Sequence, residues 1–209
     1  MINNFTKAMN FRHACKIFDE NKKISEDDMR YILETGRTSP SSFGMEAWKF
    51  LVITNEALKA KLRPACWNQV QITSCSHLVV LLSGIENAKV ESGEVTKRFA
   101  RRPLSQEQLD SYLELYAGHL KETLSTEKNI YEWTARQTYI AAANMMTAAA
   151  FKEIDSCPIE GFEKEKVEDI LGLNTKKWQV SMLLPFGYRI NEQSTQLRLD
   201  FEEVVEFID

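Results

Sequence analysis

Apolar positions along the chain fall into two patterns. Trp48 to Ile53 (WKFLVI), Leu78 to Leu82 (LVVLL) and Trp178 to Pro185 (WQVSMLLP) are short, nearly continuous apolar runs, as expected of buried strands. Between them the spacing is helical. Asn4 to Met9 is predicted as a short first helix. Ser25, with Asp28 three residues on, reads as a cap, and Met29, Ile32 and Leu33 give an apolar stripe ending near Gly36. Glu56 to Leu62 is predicted as a helix interrupted near Pro64. Trp133 to Ile154 is a long helix whose AAANMMTAAA stretch permits close backbone approach, so it is predicted to be the most buried, and to lie at a subunit interface. Glu163 to Leu171 is a helix ended by Gly172. Strands separated by helices predict a sheet between helical layers.

Residues from about 86 to 128 are polar and charged and are broken by Pro103, which predicts two exposed helices forming an excursion from the core. The tail from Leu197 to Ile208 carries Phe201, Val204, Val205 and Phe207, too apolar to stay in water, and is expected to dock. A chain of 209 residues with 44% hydrophobic and 27% charged side chains fits one domain over residues 1–209.

Net charge of −4 disfavours a nucleic-acid partner. The longest nearly apolar stretch, Tyr139 to Phe151, is too short to span a bilayer, and the N-terminus lacks an apolar signal core, so a cytoplasmic protein without a membrane partner is expected. Four separated cysteines and three histidines show no metal-ligand spacing, so no metal is expected.

Four segments carry candidate chemistry. Arg12-His13-Ala14-Cys15-Lys16 places two cations four residues apart, able to hold an anion. Ser39-Pro40-Ser41-Ser42-Phe43-Gly44 is a small, polar loop before a strand. Asp155-Ser156-Cys157-Pro158-Ile159-Glu160-Gly161-Phe162 follows the long helix, with a glycine that admits close backbone approach to a flat ring. The Pro185 to Arg189 strand end and Gln196-Leu197-Arg198 add further cations. Lys97, Arg98, Arg101 and Arg102 read as a solvated helix face rather than a nucleotide-phosphate site.

In that order, from Phe11 to Arg198, these segments resemble the FMN-dependent nitroreductases and their flavin-reductase relatives. The resemblance implies an α+β fold with a central, mostly antiparallel sheet flanked by helices. It also implies a homodimer whose C-terminal segments cross onto the partner subunit, with FMN between subunits. Arg12, His13 and Lys16 match the family's RHS-x-K signature, with Ala14 at the serine position, Arg12 at the FMN phosphate and Lys16 at the N1/O2 edge of the ring. Pro40, Ser41 and Ser42 would approach FMN from the other subunit. Asn68 would bond the pyrimidine edge, the Glu160 and Gly161 N–H groups of the Pro158-Ile159-Glu160-Gly161 segment would reach N5 and O4, and Arg198 would help hold the phosphate. Phe43, Trp67 and Tyr116 are expected to wall the substrate site.

The chain departs from the family at Ala14, where serine is usual, and at Gln71 and Gln196, where relatives often carry lysine. The cofactor carries such chemistry, so no catalytic residue is assigned beyond Lys16 as electrostatic support. The implied reaction is ping-pong reduction of nitroaromatics, quinones or flavins by NADH or NADPH. A flavin-binding or thiol-based redox sensor, with Cys157 beside the ring, and an FMN enzyme with another acceptor remain alternatives.

Overall fold

The structure is a computed structural model and describes residues 4–208. Four strands, β1 (Trp48–Ile53), β2 (His77–Gly84), β3 (Asp155–Ser156) and β4 (Trp178–Gly187), form an antiparallel sheet in the order β1-β2-β4-β3. The predicted apolar runs lie in β1, β2 and β4.

Both faces of the sheet are covered. Leu78, Val80 and Leu82 of β2 pack with Leu62, Ile72 and Val167 from α3 (Glu56–Ala65), α4 (Gln71–Ser74) and α8 (Lys164–Ile170). Val79 and Leu81 pack on the other face with Ile32 of α2 (Glu26–Arg37) and Met145 and Ala149 of α7 (Glu127–Phe151). Each such aliphatic side chain contributes about 1.5–3 kcal/mol by leaving water. In β4 the alternation breaks at a bulge: Leu81 pairs with Met182 but Leu82 pairs with Val180. The extra residue, Ser181, bonds Leu81 O at 3.0 Å and contacts the Thr138 hydroxyl at 2.8 Å. It resets the parity, so that Val180 and Leu183 share one face while Met182 and Leu184 share the other.

Several element boundaries differ from the sequence reading. Ser25 caps α2 as expected, accepting from the Asp28 N–H at 3.1 Å. The helix ends at Arg37, near Gly36 as expected, and Gly36 has a packing role in its last turn: a Cβ there would sit 2.0 Å from Met145 Cε, so this glycine lets α2 approach α7. Pro64 does not interrupt α3, which runs to Ala65. Proline in a last turn forfeits a single backbone bond, and Cys66 N–H still reaches Leu62 O at 3.1 Å. The long helix α7 starts six residues before Trp133, where Thr126 caps the Asn129 N–H at 3.1 Å. The first helix, α1 (Asn4–Phe11), extends two residues past Met9.

The excursion contains α5 (Glu94–Phe99) and α6 (Gln106–Thr123). It is more than an exposed helix pair: Val95, Phe99 and Tyr116 form a small core with Ile130 and Trp133 of α7. The tail holds one short helix, α9 (Phe201–Val204), and does not dock on its own chain: Leu197, Phe207 and Ile208 are 84%, 81% and 90% exposed.

Candidate functional site

A cavity of about 540 Å³ opens where the RHACK segment meets the start of the tail. It brings together Arg12, His13, Ala14, Lys16, Pro158, Gln196 and Arg198 of the expected set, and adds Met146, Ser194, Thr195 and Leu197. The local structure explains the gathering. Arg12 N–H continues the turn of α1 to Ala8 O at 3.0 Å, and Cys15 N–H then bonds Ser156 O at 3.1 Å beside a bridge between Ala14 and Ser156. The segment is thereby laid along the end of β3.

The side chain of Gln196 does not stand free at the cavity. Its Nε2 donates to Met9 O at 3.2 Å, Asn10 O at 3.0 Å and Arg12 O, satisfying the carbonyls at the end of α1. Arg198 is exposed at the rim, with Nη1 on Leu197 O at 2.6 Å.

Behind this wall lies Asp155, the buried first residue of the third candidate segment, with no role of its own assigned from the sequence. Arg189 Nη2 stands 2.7 Å from its Oδ1, Arg189 N–H donates to Oδ2 at 2.9 Å, and His13 Nδ1 lies 3.6 Å away. The Arg189 guanidinium also sits 4.1 Å above the Phe11 ring. Asp155 thus ties strand β4 to the cationic segment. Arg12 Nε is buried with no hydrogen-bond partner among the described residues. An orphaned guanidinium donor is costly, and here it belongs to a wall shared with Lys16 and Arg198, so the donor set fits an anionic group such as a phosphate.

Lys16 reaches inward. Its Nζ lies 3.8 Å from Cys157 Sγ, and Gln71 Nε2 lies 3.9 Å from the same sulfur. Burial pushes the Cys157 thiol up from its ordinary value, opposed by the Lys16 charge. Gln71 is itself buried, and its amide also bonds Gln69 Oε1 at 3.0 Å.

The PIEG segment is braced from several sides. Ile159 exchanges backbone bonds with Leu183 at 2.9 and 3.1 Å. Tyr139 hydroxyl donates to Glu160 Oε1 at 2.8 Å, and Gln69 Nε2 donates to Gly161 O at 2.8 Å. A Cβ on Gly161 would sit 2.7 Å from the Trp67 ring, so this position needs glycine for close packing. Held this way, the N–H groups of Glu160 and Gly161 donate to nothing among the described residues. Trp67 is 67% exposed, and Asn68 beside it is in the left-handed region with φ of 55°.

Other expected residues stand apart from this cavity within the chain. Ser42 N–H donates to Gln137 Oε1 at 2.9 Å, and Ser41 Oγ accepts from Glu46 N–H at 2.8 Å; neither they nor Pro40 line the Arg12 cavity. Phe43 packs into the excursion, 5.2 Å from the Tyr116 ring. Tyr116 does not wall a site: it is fully buried, with its hydroxyl on Ala88 O at 2.6 Å, because the excursion has a core of its own.

Gln69 was missed, and its place beside Asn68 in the sequence was the one available signal. Asp155 and Arg189 lie in the third and fourth candidate segments, but their pairing comes only from strand pairing, 34 residues apart.

The Nitroreductase family matches residues 9–188. A Bacillus subtilis (strain 168) protein named "Putative NAD(P)H nitroreductase YfkO" is 38% identical over 216 residues, covering 96% of each chain. A like-named Staphylococcus haemolyticus protein is 41% identical, covering 96% of this chain and 95% of its own. A solved structure from Exiguobacterium sibiricum 255-15, in complex with FMN, superposes with a TM-score of 0.82 at 24% identity over 98% of this chain and 97% of its own.

Proposed function

The chain belongs to the nitroreductase family, and we propose that it is an FMN-dependent oxidoreductase that draws electrons from NADH or NADPH and passes them, in ping-pong order, to nitroaromatics, quinones or flavins. The observation that carries this reading is the cationic cavity whose buried Arg12 Nε has no internal acceptor. It is supported by the free N–H pair of Glu160 and Gly161.

When bound, FMN supplies two-electron hydride chemistry at N5. The chain's own residues bind and orient it. Arg12 and Arg198 hold the phosphate, and the guanidinium fork of Arg12 suits that anion. Lys16 brings a fixed positive charge to the ring edge, favouring negative charge there without reorganisation. The Glu160 and Gly161 N–H groups donate toward N5 and O4, with their orientation set by Gln69, Tyr139 and the Ile159 bridge. Asn68 reaches the pyrimidine edge. Phe43 and Trp67 limit access to the acceptor face, and Trp67 has the exposure to do so.

In this reading two copies share each site. The tail leaves Leu197, Phe207 and Ile208 in water on its own chain, and α7 exposes Tyr139, Ile140 and Phe151. Both surfaces suit a second copy, as does a Pro40–Ser42 loop that lies away from the Arg12 cavity of its own chain. Among the described residues no helix is long and apolar enough to cross a membrane, and no cluster suits a metal ion. A thiol sensor is not favoured: Cys157 is fully buried and its thiol is pushed up.

The test is optical. Protein loaded with FMN and desalted is expected to stay yellow, bleach with NADH or NADPH and recolour with an acceptor. Loss of all flavin on desalting contradicts the reading.

A further inference from the structure

The loop from Pro40 to Glu46 has an unusual backbone. Phe43, Gly44 and Glu46 have φ of 55°, 60° and 46°, so two non-glycine residues occupy the left-handed region. Each costs free energy that surrounding contacts must offset. Those contacts come from the excursion. Arg102 Nη2 donates to Phe43 O at 2.7 Å, while its guanidinium lies 5.1 Å from the Phe99 ring and 5.0 Å from the Tyr112 ring. The Phe43 ring is socketed among Tyr112, Tyr116 and His119, with centroids 6.0, 5.2 and 5.4 Å away. Arg101 adds Nη2 to Gly44 O at 3.4 Å and pairs with the Glu46 carboxylate at 2.8 Å. The contact is reciprocal: a Cβ on Gly44 would sit 2.8 Å from Arg102 Nη2, so the glycine makes room for the guanidinium.

We propose that Arg102 is a positioning residue for the cofactor: from the excursion it latches the Pro40–Glu46 loop in the strained shape that presents Ser41 and Ser42 to the FMN of a second copy. The inference rests on the shared FMN site proposed above. A planar guanidinium suits the task because it lies against both rings of the Phe99–Tyr112 pair while its edge donates to a carbonyl; a lysine ammonium retains the charge but not that geometry. The excursion is therefore the support of a cofactor loop.

The experiment compares Arg102→Met, Arg102→Lys, Gly44→Ala and Arg12→Ala by FMN fluorescence titration, with apoprotein melting and dimer mass as controls. Arg102→Met and Gly44→Ala are expected to weaken FMN binding roughly tenfold, with Arg102→Lys between them and wild type. A dimer mixed from Arg102→Met and Arg12→Ala chains is expected to regain one tight site. A dimer of wild type with a chain carrying both substitutions is expected to have none. A merely structural role predicts no such asymmetry. Wild-type affinity in Arg102→Met, or in Gly44→Ala should Arg102→Met not fold, overturns the latch if Arg12→Ala has lost affinity. Tight binding by Arg12→Ala as well overturns the Arg12 phosphate assignment, whereas no FMN binding by wild type overturns the FMN reading beneath the latch. Mixed dimers without asymmetry overturn the action across subunits.

Discussion

Gln69 Nε2 donates to Gly161 O at 2.8 Å, joining residues 92 positions apart. The same nitrogen bonds Cys66 O at 3.1 Å, and Gln69 Oε1 accepts from Gln71. One amide therefore fixes the peptide that follows the free Glu160 and Gly161 N–H groups. Gln69→Leu removes the donor and leaves the partly buried Gly161 carbonyl unpaired, at a cost of about 1–3 kcal/mol, while Cys66 O keeps the backbone N–H of residue 69. The expected outcome is a lower melting temperature and a shifted flavin potential, measured by thermal unfolding and by redox titration.

Arg12→Ala and Arg198→Ala are each expected to weaken FMN binding by about 1.5–3 kcal/mol, the range for a charge-assisted hydrogen bond. The Arg12 effect should be the larger, since its Nε is buried while Arg198 is exposed. Flavin fluorescence titration checks both. Unchanged affinity in both variants removes the phosphate assignment.

Lys16→Met is expected to lower the flavin reduction potential more than it lowers FMN affinity. Its ammonium acts at the ring edge, where charge develops on reduction. Each 1.4 kcal/mol of lost stabilisation corresponds to about 30 mV for two electrons. Gln71→Lys is expected to act in the opposite direction, adding a cation beside Cys157 Sγ, where Gln71 now stands at 3.9 Å. A potential that moves in neither variant contradicts this electrostatic account.

Burial pushes the Cys66 and Cys75 thiols up to about 12 from an ordinary 9.0. The folded state then holds protons that the unfolded chain releases. Stability is therefore complete below pH 9.0 and falls as pH climbs from there toward 12. Urea unfolding midpoints on either side of pH 9.0 measure this. Cys75→Ala should show a shallower fall than wild type.

Deleting the tail from Leu199 onward is expected to abolish both the dimer and flavin retention, although Arg198 remains. Leu199, Phe201 and Val204 are 67%, 58% and 64% exposed on their own chain, so their removal costs that chain little packing. Light scattering and flavin content decide. A truncated protein that stays dimeric and yellow refutes the shared site.

Much of the fold was legible along the chain because burial leaves a local trace. LVVLL reads as a strand covered on both faces because every side chain in it must leave water, and β2 alternates between two packed helical layers. The alanines of α7 announced a helix that others approach closely. Arg12, Lys16, Gly161 and Arg198 could be picked out by residue type and order. Pairings that depend on register left no such trace. The bulge at Ser181 follows from how β4 meets β2, and the Asp155–Arg189 pair from where β3 joins β4. Tyr116 reads as a pocket aromatic until the excursion closes a core around it, and Gly36 reads only as a stop until Met145 occupies the space beside it. Arg102 looks like one charge in a solvated run; only the fold sets its guanidinium against the Phe99–Tyr112 pair and on the Phe43 carbonyl, 59 residues away. Periodicity encodes which side chains must be buried, whereas the partner each one meets is set by chain segments that come together only when the sheet and its covering helices have formed.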